Sequence, residues 1–269
     1  MAKAQSLGRK IIFRIVLALS VLTVVYVYHK QIIRYGYKAW RLQKRFFNKP
    51  VDEKGYQIEY PYGYSVHGID VSRWQDEVDW RKLKTKTLDG DTLKFEFAFI
   101  KATEGILLED PTFRDNWEGA RKSKVIRGAY HYFTPNADAK LQAKNFISSV
   151  KLLKGDLPPV IDVEETGGKS KKELVKRIKI FNAEIEKAYK VRPIIYSNIS
   201  FIEDYLADDF DDYRFWIAHY YEQELIVEKS VNWLFWQHSD KAAMFGCNAS
   251  VDVNVFNGSK EQLKRILLR

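Results

Sequence analysis

The chain has 269 residues, with 44 Lys and Arg against 35 Asp and Glu, and a formal net charge of +9. The excess is local: residues 1–60 hold 12 basic and 3 acidic side chains, which leaves 32 of each sign in 61–269. A neutral main domain with its basic surplus beside an apolar run, and no nucleic-acid reading motif, argues against nucleic acid and for membrane-proximal charge; one cysteine, Cys247, excludes an intramolecular disulfide.

Residues 1–10 form a basic tail. Residues 11–28 are apolar except for Arg14 near one end, within the roughly 17–25 residues that a membrane-spanning helix needs. No small-x-small cleavage site follows in 26–30, so an uncleaved signal anchor is expected. Residues 29–65 are a juxtamembrane segment and linker. Lys30, Arg34, Lys38 and Arg41 alternate with Tyr35, Tyr37 and Trp40, a pattern that suits either the headgroup region or a continuation of the anchor helix. Pro50, Gly55, Pro61 and Gly63 mark a linker over 50–65. Four basic residues precede or enter the apolar run (Lys3, Arg9, Lys10, Arg14) and seven follow it between Lys30 and Lys49. The charge rule alone would therefore keep the following domain in the cytoplasm, although large domains translocate against it.

The remaining 66–269 is long enough for one substantial core and near the lower limit of a β/α barrel. Apolar, β-branched runs at 66–71, 95–101, 126–133, 158–164, 192–197, 213–218, 231–237 and 250–255 read as eight strands. Helical spacing appears at 78–83, 113–124, 137–153, 171–189 and 199–206, but not in the gaps 219–230 and 238–249. The pattern predicts an α/β fold: an irregular TIM-like barrel of five β/α units followed by three strands, preceded by a transmembrane helix.

Four acids stand inside or at the ends of these strands: Asp70, Asp162, Glu164 and Asp252. A buried carboxylate without a partner costs several kcal/mol, so acids in such places are paired or used. Period-2 alternation puts Asp162 and Glu164 on one face, their α-carbons roughly 6–7 Å apart, with Ile161 and Val163 on the other. Asp70 alternates with Ile69 and Val71, and Asp252 with Val251 and Val253. All four can face a barrel interior near the strand ends that carry barrel active sites. Tyr130, Tyr196, Trp216 and Gln237 are candidates for sugar binding, or for plain core aromatics and an acid-orienting amide. His131, His219 and His238 form no spaced metal constellation, and neither metal nor cofactor is expected.

Nine ordered motifs carry a resemblance: Gly68-Ile-Asp-Val-Ser-Arg-Trp-Gln75, Phe99-Ile-Lys-Ala-Thr-Glu-Gly105, Asp110-Pro-Thr-Phe-Arg-Asp-Asn116, Gly128-Ala-Tyr-His-Tyr-Phe133, Ile161-Asp-Val-Glu164, Pro193-Ile-Ile-Tyr-Ser197, Trp216-Ile-Ala218, Trp236-Gln237 and Asp252-Val-Asn-Val-Phe256. Together they resemble glycoside hydrolase family 25, the Ch-type lysozymes, over nearly the whole of 66–256. The resemblance implies muramidase activity on the β-1,4 bond after N-acetylmuramic acid of peptidoglycan glycan strands. It places Glu164 at the general acid/base, Asp162 at the acid that assists the substrate's 2-acetamido group, and Asp70 and Asp252 at the flanking acids. Such a substrate implies an extracytoplasmic domain, the placement expected here despite the charge count. A catalytically silent glycan-binding module and a hydrolase of another N-acetylated glycan such as chitin remain alternatives. Residues 238–249 match nothing in the family pattern.

Overall fold

The computed structural model describes residues 2–47, 61, 63–83, 85–86 and 92–269. It divides into two units, Met1–Lys49 and Pro50–Arg269.

The first unit is one helix, α1 (Ala2–Phe47). Its apolar stretch, Ile12–Ile33, is 22 residues, longer than the expected 11–28 because the helix does not break at His29. Ser20 and Thr23 donate their hydroxyls to the carbonyls of Val16 and Leu19, at 2.9 and 2.8 Å, so no polar group in the run is left unsatisfied by them. The basic-aromatic segment continues the same helix to Phe47. The linker expected over 50–65 lies mostly outside the described residues, which include only Pro61 and 63–65 of it.

The second unit is a closed barrel of eight strands: β1 (His67–Val71), β2 (Phe97–Glu104), β3 (Ile126–Tyr132), β4 (Val160–Asp162), β5 (Ile194–Asn198), β6 (Arg214–Ala218), β7 (Trp233–Ala242) and β8 (Val251–Phe256). β1 to β7 run parallel in ring order, and β8 closes the ring antiparallel to both β7 and β1. Helices α2 (Phe113–Lys122), α3 (Ala139–Ser149) and α4 (Lys171–Tyr189) cover the crossovers after β2, β3 and β4. Side chains of Asp138 and Ser170 cap α3 and α4 by accepting from the backbone N–H three residues on.

The alternation read from sequence holds around the ring. Ile69, Val71, Ile161, Val163, Val251 and Val253 belong to the outer core between barrel and helices. Phe97, Phe99, Tyr130, Val160, Tyr196, Trp216 and Phe235 form the inner cluster. Gly68 and Gly128 make room for it: a Cβ at Gly68 would stand 2.3 Å from the Phe97 ring, and one at Gly128 2.6 Å from the Phe99 ring. Phe99 in turn stacks on Trp216 at 4.3 Å between centroids. The lower barrel is thus plugged by aromatics, and polar groups gather at the other end.

Three elements differ from the sequence reading. Residues 78–83 form turns, not a helix. Asp76 sits at φ +65, Val78 N–H donates to Asn116 Oδ1, and Asp79 N–H donates to the Gly246 carbonyl; one turn bond within the segment, Lys82 N–H to the Asp79 carbonyl, is joined by these ties to distant chain, and no helical ladder forms. The 199–206 helix is a single α-turn followed by a π-turn, Ile202–Leu206. A helix the reading omitted, α5 (Lys260–Ile266), closes the chain with a capping box between Ser259 and Gln262.

Candidate active site

Asp70 and Asp252 are direct cross-strand partners on β1 and β8. Because β8 runs opposite to the other strands, Asp252 near its start reaches the same barrel mouth as Asp70 near the end of β1. Asp162 ends β4, and Glu164 stands two residues beyond it, exposed, on the loop that leaves the strand. The Val163 N–H donates to the Tyr196 carbonyl at 2.9 Å, extending the ladder past the strand and fixing where Glu164 emerges. In the ring β8 is four strands from β4, so the two acid pairs face each other across the mouth.

The pairs differ in exposure. Asp162 is 5 % exposed and its Oδ1 is buried without a hydrogen-bond partner among the described residues. Burial first, and then the adjacent Glu164 carboxylate, hold Asp162 well above the usual carboxylate range. Asp162 therefore keeps a proton at pH values where a free carboxyl has lost it. Asp70 and Asp252 are likewise both raised by burial, Asp252 also by the charge of Asp70.

The four expected sugar ligands are buried as well. Trp216 is 1 % exposed and donates its indole N–H to Asn254 Oδ1 at 2.7 Å. Gln237 is 2 % exposed beneath Asp70. Tyr130 and Tyr196 are buried too, with Tyr196 at the edge of an open depression of about 370 Å³ lined also by Glu164, Asn198, Ala218, His219 and Tyr220. The π-turn after β5 sits beside this lining, a distortion often found at functional sites.

Residues that the sequence reading did not single out complete the mouth. Tyr220 is half-buried in the depression. Lys101 lies 4.7 Å over the Tyr132 ring, is ion-paired with Glu104 at 2.7 Å, and acts on Asp162 as a neighbouring cation. Trp74 is 72 % exposed at the rim with the Arg73 guanidinium 5.0 Å from its ring. Its loop is pinned by Arg73 N–H donating to buried Asp110 and by Gln75 donating to the Ser250 carbonyl. Lys101 and Trp74 were visible as members of the quoted motifs; Tyr220 had no sequence signal beyond its place after β6. Residues 238–249 begin as the continuation of β7 and end clamped against 79 through Gly246, so they brace the irregular first crossover.

An open polar mouth with two facing carboxyl pairs on a β/α barrel defines a glycosidase-type site, in which one acid protonates a leaving oxygen while others meet positive charge on the sugar. The profile of glycosyl hydrolases family 25 matches residues 69–247, and the chain belongs to that family; it is a glycoside hydrolase. Lysozyme M1 of Streptomyces globisporus is 32% identical over 213 residues, covering 74% of this chain and 70% of that protein. YegX of Escherichia coli (strain K12), described as uncharacterized, is 40% identical over 261 residues, 96% of this chain and 94% of its own. Among solved structures, a family 25 glycosyl hydrolase from Bacillus anthracis superposes with a TM-score of 0.70 at 28% identity, covering 79% of this chain and 98% of that one. The bacterial lysozyme from Streptomyces coelicolor gives 0.68 at 30% identity, covering 76% and 97%.

Proposed function

We propose that the protein is a membrane-anchored muramidase that cleaves the β-1,4 bond between N-acetylmuramic acid and N-acetylglucosamine in peptidoglycan, on the extracytoplasmic side. The observation that carries the reading is the pair of unlike acids at the end of one strand: Glu164 exposed in the depression, and Asp162 buried two residues before it with an orphaned Oδ1. The named lysozymes among its relatives supply the substrate class.

In this mechanism Glu164 gives a proton to the glycosidic oxygen as the C1–O bond breaks. The substrate's own acetamido oxygen attacks C1, forming an oxazolinium ion, while Asp162 accepts a hydrogen bond from the acetamido N–H and stabilises the positive charge. Water then attacks C1, Glu164 takes its proton, and the acetamide re-forms with net retention. A substrate N–H aimed at Asp162 favours the ionised form of Asp162 that the acetamido step needs.

The test of substrate class is mass analysis of products from purified peptidoglycan incubated with the full chain in detergent. Fragments ending in reducing N-acetylmuramic acid are expected. Release of chitin oligomers in place of muropeptides, or no release, overturns the assignment. Placement is tested separately. Protease added to intact cells, after outer-membrane permeabilisation where one exists, should digest residues 61–269, because a large domain can translocate despite flanking cations. Complete protection of the domain would refute the extracytoplasmic placement.

A further inference from the structure

Gln237 and Asn254 sit below the acids with their hydrogen-bonding capacity committed. The Gln237 amide oxygen accepts from the hydroxyls of Tyr196 at 2.7 Å and Tyr220 at 2.8 Å. Its NH2 donates to Asp70 Oδ2 at 2.8 Å and to Asp252 Oδ2 at 3.3 Å. An amide side chain has two acceptor sites and two donors, so all four are used and none remains for a sugar. The opposite orientation would turn the amide oxygen toward two carboxyls. Asn254, fully buried, repeats the device: its oxygen accepts from Trp216, and its NH2 donates to Asp70 Oδ2 at 2.8 Å.

The donors are unequally shared. Asp70 receives two short amide N–H bonds and Asp252 one long one, while Asp252 is the more exposed of the two. Two carboxyls in contact do not both ionise at low cost, and N–H donors favour the charged form of the group they reach. The charge therefore rests on Asp70, and Asp252 carries the proton and directs it at Asp70.

We propose that Gln237, backed by Asn254, is a positioning residue for hydrolysis: clamped by two tyrosine hydroxyls, it aims both N–H groups at Asp70 and Asp252 and holds them as a one-proton pair across the mouth from Glu164. This rests on the hydrolytic reading of the site. With one proton between them, Asp70 and Asp252 present one negative charge to the sugar instead of two. The groups facing the Asp70–Asp252 pair are Tyr130 on β3, Asp162 and Glu164 at β4, Tyr196 on β5, Tyr220 after β6 and Asp240 on β7. The charged groups that act on the pair most strongly are acids, so they favour keeping the proton. Burial raises Asp70 to about 6, and burial and then Asp70 raise Asp252 to about 9, so the pair holds one proton between these values, gains a second as pH falls through the lower one and loses its proton as pH rises through the upper one.

The experiment compares kcat/KM of the full chain, Gln237→Glu and Tyr220→Phe from acid to alkaline pH, with thermal unfolding of each. Gln237→Glu keeps the shape and the acceptor facing the tyrosines. Its new carboxyl imitates the amide while protonated and repels the pair once ionised. A loss in kcat of about threefold at acid pH, growing to on the order of 30-fold at alkaline pH, is expected, with KM moving less. Tyr220→Phe removes one clamp from a half-exposed position and should show a smaller loss with the same pH trend. A loss equal at every pH in both variants would make Gln237 merely structural and overturn the proposal. Beside the protonated-carboxyl infrared signal that buried Asp162 gives, a second such band that persists above neutral pH and is lost specifically in Asp252→Asn is also expected. That band reads the pair even in an inactive protein, so its absence sinks the one-proton pair, whereas failure of the wild type to cleave peptidoglycan sinks only the hydrolytic reading.

Discussion

Glu164→Gln should lower turnover on muropeptide substrate by on the order of 100-fold or more while the protein stays folded, because the amide keeps the shape of the acid but has no proton to transfer. Glu164 is exposed beyond the end of β4, in no ion pair among the described residues and outside both core clusters, so its replacement leaves the packing untouched. The neighbouring acids do not substitute for it. Asp70 and Asp252 stand across the ring, with the Asp70 carboxyl held by two amides, and Asp162 is buried on the same strand. General acid catalysis needs a group within hydrogen-bond reach of the leaving oxygen, and only Glu164 of the four opens onto the depression. Steady-state assay of the purified variant, with an unchanged thermal transition as the folding control, decides it. A rate within a few-fold of wild type would remove Glu164 from the role.

The acids were legible because strands alternate. Once 158–164 and 66–71 were read as strands, the β-branched neighbours of Asp162 and Asp70 had to face outward, and the outer core contains them. The glycines opening two of the motifs gave no such signal: Gly68 and Gly128 leave space for Phe97 and Phe99, a packing demand that admits no side chain and is visible only once the strands are placed. What stayed hidden was long-range. The turns at 78–83 are held by Asn116 and Gly246, some tens to well over a hundred residues away in sequence, and local spacing of apolar residues does not register such ties. Depth within the barrel was hidden too. Trp216 and Gln237 lie on the inner face, as strand period requires, but whether an inward residue meets sugar or supports an acid depends on its height in the barrel. Asn254 is two residues from Asp252 and on the same face, so its role as a ligand of Asp70 was open to the same period-2 argument that placed the acids. The capping box of α5 was a plain local signal, Ser259 followed three residues later by Gln262.

Asp162→Asn should abolish most activity, and the anomeric form of the first product tells why. Asp162 and Glu164 leave one strand on one face, so both approach the sugar from nearly the same side. A carboxylate that attacks C1 must come from the side opposite the acid, and Asp162 is badly placed for it. The acids that do lie opposite, Asp70 and Asp252, are drawn together by Gln237, and Asp70 is further engaged by Asn254; a carboxylate with its charge held by two N–H donors is a weakened nucleophile. The substrate's acetamido oxygen avoids both obstacles, since it is carried on the sugar and reaches C1 from the far face. Asp162 then needs only to accept the N–H, for which its orphaned, buried oxygen is suited. The amide in Asp162→Asn can still accept that N–H but carries no charge to balance the oxazolinium ion, so a loss of on the order of 100-fold or more is expected, in kcat more than in KM. Substrates lacking the acetamido group should fail even with the wild-type chain. NMR of the anomeric proton at early times should show the β-configuration retained in the first-formed product. An inverted first product would end the assisted mechanism and assign one of the facing acids, Asp70 or Asp252, as the base that activates water from the opposite side of the ring.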